Sequence, residues 1–138
     1  MGYKYHMNDI SASMGLAQLK CFEAAQERRK RLYASYRREL AALPGLKLLE
    51  EKPDRESGGW LFTVLVERRL EFIRAIKSRG VEAAVWHQRI DKNSLFGGQR
   101  DDLPNQEAFN ERQVSLPLRE SLTDAEVGTV LSAVKAGW

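Results

Sequence analysis

The chain is poor in the residues that staple or ligate: among 138 residues there are one cysteine and two histidines. Cys21 alone cannot close an internal disulfide, and so few thiols and imidazoles give no Cys/His spacing that resembles a zinc site, so no structural metal is expected. Proline is also scarce, at four, beside 43% hydrophobic and 30% charged side chains. That balance belongs to a folded chain rather than a disordered one. Nothing approaches the roughly 20 apolar residues needed to cross a bilayer. The opening Met1-Gly2-Tyr3-Lys4-Tyr5-His6 lacks the apolar core of a secretory signal. A cytoplasmic protein without membrane contact is the expectation. Charge of one sign is lacking too, since 22 basic groups face 19 acidic ones for a net +3. Such an excess is too small for a surface built to hold nucleic acid, although it suits small anions. The one basic cluster, Arg28-Arg29-Lys30-Arg31, would point around a helix and is diluted by Glu23, Glu27 and Glu39, so a solvated helix is expected there. There is no internal repeat and no low-complexity segment.

What is present fits one domain, with a core able to bury about two-thirds of the unfolded surface. Ile10, Met14, Ala17, Cys21 and Ala24 recur at helical spacing, and Leu32, Tyr33, Tyr36 and Leu40 resume the pattern. The spacing predicts a helix from Asn8 or Asp9 to about Leu40, ended by Pro44-Gly45 and roughly 48 Å long at 1.5 Å per residue. Cys21 reads as inert packing in its apolar face. In the first half, Ala12, Leu16, Leu19 and Phe22 add a second apolar stripe, wider than one small core covers, so another surface is expected to pack there.

A short extended piece at Leu46 to Leu49 and a polar loop from Glu50 to Gly59 lead to Trp60-Leu61-Phe62-Thr63-Val64-Leu65-Val66. This run has the composition of a buried strand, with Trp60 in the core. A helix from about Leu70 to Ser78, capped by Gly80, precedes a second strand at Val81 to Trp86. From His87 to about Pro104 the pattern lapses for some eighteen residues, long enough to mark a functional loop. A short helix near Asn105, a strand at Val114 to Leu118 and a last helix opened by the capping box Thr123-Asp124-Ala125-Glu126 complete the chain. The order α-β-α-β-loop-β-α is an α+β fold, a small sheet covered by helices.

Two segments resemble a known family. Gly2-Tyr3-Lys4-Tyr5-His6-Met7-Asn8-Asp9-Ile10, running into Gly15-Leu16-Ala17-Gln18-Leu19, is similar to the opening of the small C-terminal domain of DegT/DnrJ-type sugar aminotransferases. Val114-Ser115-Leu116-Pro117-Leu118, followed by Leu122-Thr123-Asp124-Ala125-Glu126-Val127, resembles the family's closing strand and helix. The resemblance covers essentially the whole chain, and implies a long N-terminal helix and a mainly antiparallel sheet of about three strands. It also implies that these enzymes, of fold type I, hold pyridoxal phosphate through a lysine of a large N-terminal domain absent from residues 1–138. None of the eight lysines, Lys4, Lys20, Lys30, Lys47, Lys52, Lys77, Lys92 and Lys135, stands where the family places that lysine. The isolated chain is therefore expected to be inactive.

By the same resemblance the loop before the long helix reaches the cofactor phosphate of a partner subunit, which assigns Lys4 and His6 to that contact. The family more often has asparagine and arginine there; lysine and histidine still offer donors to an anion. Val85-Trp86-His87-Gln88-Arg89-Ile90-Asp91-Lys92-Asn93, then Leu95-Phe96-Gly97-Gly98, resembles a subset of the family with a charged Arg-x-Asp pattern in the loop lining the nucleotide-sugar pocket. Trp86, His87, Arg89, Asp91 and Lys92 are the candidate substrate-binding residues. Arg89 and Lys92 would meet a diphosphate, and Trp86 or Phe96 would stack on a sugar or base. The blander expectations are a solvated tail for Lys4 and His6, packing for Trp86, a surface or capping role for His87, and pairing of Arg89 and Asp91 with other loop charges. The implied partners are the large domain and a second subunit, both met through the first half of the long helix. The implied reaction aminates a nucleotide-linked keto-sugar, with glutamate the usual donor. The rival reading is a freestanding α+β dimerisation module without chemistry.

Overall fold

Leu32, Tyr36 and Leu40 recur every four residues, and all three are buried at the C-terminal end of α1, Asp9–Leu40. The computed structural model describes residues 5–138. The Asn8 side chain caps α1 by accepting from the Ser11 amide at 2.8 Å, with Asp9 in the first turn and Arg37 and Arg38 in the last, each matched to the helix dipole. Gly45, at φ +76, turns the chain into β1, Leu46–Leu48. β2, Phe62–Val66, and β3, Gln113–Leu116, complete an antiparallel sheet ordered β1-β2-β3.

The register sets Phe62 opposite Leu116 and Val64 opposite Val114, while Thr63 faces Ser115 and Leu65 faces Gln113 on the other side of the pleat. Phe62, Val64 and Val66 form one core with Phe72 and Ile76 of α2, Arg69–Ser78, and with Val127, Val130 and Val134 of α4, Asp124–Lys135. The predicted capping box is present: Thr123 Oγ1 accepts from the Glu126 amide at 3.2 Å, and Glu126 accepts from the Thr123 amide at 2.7 Å. α3, Pro104–Arg112, starts on a proline that suits a first helical turn and runs directly into β3. Trp138 closes the far end. Its ring meets Phe72 edge-on at 4.8 Å, its indole donates to the Glu67 carbonyl at 2.7 Å, and a Cβ on Gly45 would lie 3.1 Å from it.

Four sequence expectations change. The strand expected at Val81 to Trp86 reduces to one bridge, Ala84 with Ser115. Continuing that ladder would use the amides at 113 and 117, but Gln113 N–H is taken by the Phe109 carbonyl at the end of α3, and Pro117 has none. Trp60 is 64% exposed rather than in the core. Gly59, at φ +63 against α1, bends the chain before the sheet begins, and the indole lies beside the His87 ring at 5.7 Å. Cys21 and the apolar residues around it on α1 are exposed, not packed. Finally, the basic cluster is partly tied down: Arg28 donates to the Leu122 carbonyl at 2.8 Å and to Asp124 at 2.6 Å, and Lys30 pairs with Glu56 at 3.0 Å. These contacts join α1 to the turn before α4 and to the polar loop.

Burial pushes the Tyr36 hydroxyl up to about 12, and it donates to the Pro117 carbonyl at 3.1 Å. A phenol raised above its unfolded value of about 10 adds stability below that pH, and the contribution is lost as pH rises towards 12. Tyr36→Phe should therefore cost about 1 kcal/mol at neutral pH and flatten the loss of stability between pH 10 and 12, read by urea denaturation at several pH values. An unchanged alkaline slope would remove Tyr36 as its source.

Candidate functional site

Ala84 is the last residue of its segment whose backbone pairs with the sheet, so Val85, Trp86 and His87 leave the β3 ladder and open the long loop. Trp86 and Trp60 are each 64% exposed and flank a cleft of about 660 Å3 whose floor includes Ser115 and Leu116 and whose rim includes Arg29 and Arg119. The two open indoles form a wall suited to stacking on a planar ring or a sugar face, while the charges around the cleft are mixed: Arg29 pairs with Glu120 and Arg119 with Glu126, each at 3.9 Å, and Glu82 lies among them. The Gln113 side-chain amide donates to the His87 carbonyl, which fixes the main chain where the loop begins.

The loop then makes two 3-10 turns, Ile90–Lys92 and Ser94–Phe96. Gly97 and Gly98, at φ +93 and +87, turn it back. Lys92 and Phe96 are exposed, as are Ile90 and Leu95. Arg89 and Asp91 are not. The Arg89 guanidinium is 1% exposed and holds both Asp91 oxygens, with Nε–Oδ1 at 2.9 Å; Glu107 of α3 takes a further N–H and the Arg100 carbonyl accepts at 2.8 Å. The Arg89 guanidinium, and then the Arg100 amide, hold the Asp91 carboxyl well below the usual carboxylate range. With two carboxylates on it, Arg89 has no free positive charge to turn towards a diphosphate. Glu107, Arg100 and Gln113 were missed from the sequence, because nothing in spacings of 18, 11 and 26 residues marks them as partners.

His6 stands exposed ahead of α1, while Lys4 lies outside the described residues. About 30 Å of helix, at 1.5 Å per residue, runs from Asp9 to Arg29 at the cleft. His6 is thus held apart from the cleft within one chain. Among the described residues no group of three or more His, Cys, Asp or Glu side chains is placed to hold a metal, and no helix is long and apolar enough to cross a membrane.

Residues 1–135 match the DegT/DnrJ/EryC1/StrS aminotransferase family. The chain belongs to that family. It is 30% identical to the spore coat polysaccharide biosynthesis protein SpsC of Bacillus subtilis over 97% of its own length. The sugar aminotransferase CalS13 from Micromonospora echinospora superposes with a TM-score of 0.93 at 29% identity, over 99% of this chain and 37% of that one. The PLP-form of a putative sugar aminotransferase, Spr1654 from Streptococcus pneumoniae, gives 0.85 at 28% identity, over 98% and 36%. The chain spans about 37% of the length of the curated relatives it matches, as the small C-terminal domain of a DegT/DnrJ-type enzyme.

The residues described do not by themselves fit a covalent pyridoxal phosphate site. Lys20, Lys47, Lys52, Lys77, Lys92 and Lys135 are exposed, Lys30 is paired with glutamates, and none of them lines the cleft. What this DegT/DnrJ-type domain offers among its described residues is a wall and a loop, with no lysine in the cleft.

Proposed function

We propose that this domain serves a pyridoxal-phosphate-dependent aminotransferase acting on a nucleotide-linked keto-sugar, and that the 138-residue chain alone is inactive. The observation that carries this reading is the superposition over 99% of the chain on CalS13, a sugar aminotransferase, at 29% identity. The rest of such an enzyme supplies the cofactor lysine. This domain supplies Trp86 from the cleft wall and His87 and Lys92 from the loop to the nucleotide sugar, with His6 and Lys4 as donors to a cofactor phosphate in a second subunit. The separation of His6 from the cleft along α1 supports that division, because one chain then serves two different sites.

The exposed faces of α1 support the assembly. Ile10 and Met14 on one side of the helix and Leu16 and Leu19 on the other are 60–74% exposed, two stripes too apolar to remain open to water in the working protein. A large domain and a second subunit are the proposed cover.

Titrating the chain with pyridoxal phosphate should give no saturable, stoichiometric absorbance band, only weak adducts spread over exposed lysines. A one-to-one band lost on substitution of a single lysine would overturn the proposed inactivity.

A further inference from the structure

Arg89 and Asp91 are the only charged residues buried among those described. Burying an ion pair is costly in desolvation and is seldom the most stabilising choice for a site; what it provides is one geometry in place of many. The pair sits where that matters. Both polar groups of the Arg100 backbone are gripped: the carbonyl accepts from Arg89, and the amide donates to Asp91 Oδ2 at 3.0 Å. Residues eleven apart are thereby fastened, and Glu107 ties the same guanidinium to the first turns of α3. Inside the closed loop Asn93 caps the second 3-10 turn through the Leu95 amide at 3.0 Å.

We infer that Arg89 and Asp91 are positioning residues: a buried clamp that presets the loop from His87 to Asp102, so that Trp86, His87 and Lys92 face a ligand without rearrangement while neither clamp residue touches it. A preset loop removes the ordering cost that a free loop of this length would carry on binding. The ligand part rests on the nucleotide-sugar reading above; the clamp itself does not.

Two measurements separate those parts. In the 138-residue chain, trypsin has sites at Arg89, Lys92 and Arg100 inside the loop, of which Lys92 and Arg100 are common to all the variants. Asp91→Asn and Arg89→Met should each raise cleavage there about tenfold or more, with the far-UV spectrum unchanged, because local opening sets the rate. Combining the two substitutions should add little, since each removes the same unit. If Arg89→Met fails to fold, Arg89→Lys tests the same point, because a single ammonium cannot reproduce the fork. Protected sites in all variants would overturn the clamp whatever the enzyme's substrate.

In the longer enzyme, with a nucleotide-linked keto-sugar as substrate, Arg89→Lys and Asp91→Asn should raise KM by similar factors of about ten with kcat within about twofold, and Asp91→Glu should recover part of the loss. A raised KM for Arg89→Lys beside an unchanged one for Asp91→Asn would make Arg89 a direct ligand contact and overturn the positioning role. Loop opening with KM unchanged in both variants would overturn it too, leaving a purely structural pair.

Discussion

Phe62→Ala should cost about 3–5 kcal/mol, the range for removing a fully buried aromatic side chain. Phe62 is 1% exposed at the start of β2 and receives two rings from α1 edge-on: Tyr33 at 5.0 Å and 70°, Tyr36 at 5.1 Å and 69°. Those contacts join the long helix to the sheet, so the loss includes aromatic pairing as well as apolar area. The rings cannot simply close over the void, because the Tyr36 hydroxyl is held on Pro117 and Leu116 stands across the ladder from Phe62. Against a domain stability of about 5–15 kcal/mol this is a large share. Thermal melting should fall by roughly 10–20 °C. A loss under about 1 kcal/mol by urea denaturation would mean that α1 does not dock on β2 through this residue.

Leu16→Glu combined with Leu19→Glu should do the opposite, leaving the fold intact and removing association. Both side chains are 65% exposed, so the substitutions should change unfolding stability by no more than about 0.5 kcal/mol. Each leucine buried at an interface contributes about 1.5–3 kcal/mol, so losing two should weaken self-association at least about a hundredfold. Sedimentation of the 138-residue chain against the double variant measures this directly. A native chain that remains monomeric at high concentration, or a variant that associates equally well, would remove α1 as the assembly surface.

Legibility in the sequence follows how local the cause is. The capping box and the glycines after α1 and α2 act within a few residues, and those elements appear where the sequence puts them. Helical spacing identified an apolar face on the first half of α1 but could not say what covers it; the fold leaves Ile10 and Met14 outside and packs Leu32, Tyr36 and Leu40 instead. The strand expected at Val81 to Trp86 fails through two backbone amides, at positions 113 and 117, far away in sequence. Composition alone could not turn Trp60 outward, because the bend at Gly59 depends on contact with α1. For the candidate site, the lapse in periodicity after His87 marked the loop, and the family resemblance proposed its role. Whether Arg89 and Asp91 face a ligand or each other was invisible, since alternation in a loop does not fix direction.

The uneven support of α1 makes it one helix by hydrogen bonding and two by stability. Its last turns open only when the sheet unfolds, whereas the turns from Asp9 towards Cys21 hold mainly through their own ladder and the Asn8 cap. A segment of that length on its own is marginal in water. Docking onto another protein surface would therefore finish folding the helix as it forms the interface, and the heat-capacity change of assembly should exceed what rigid-body burial alone would give. Were the proposed assembly to form there, association and the last step of folding would become a single event, with an affinity that helix propensity, and not contact area alone, would tune.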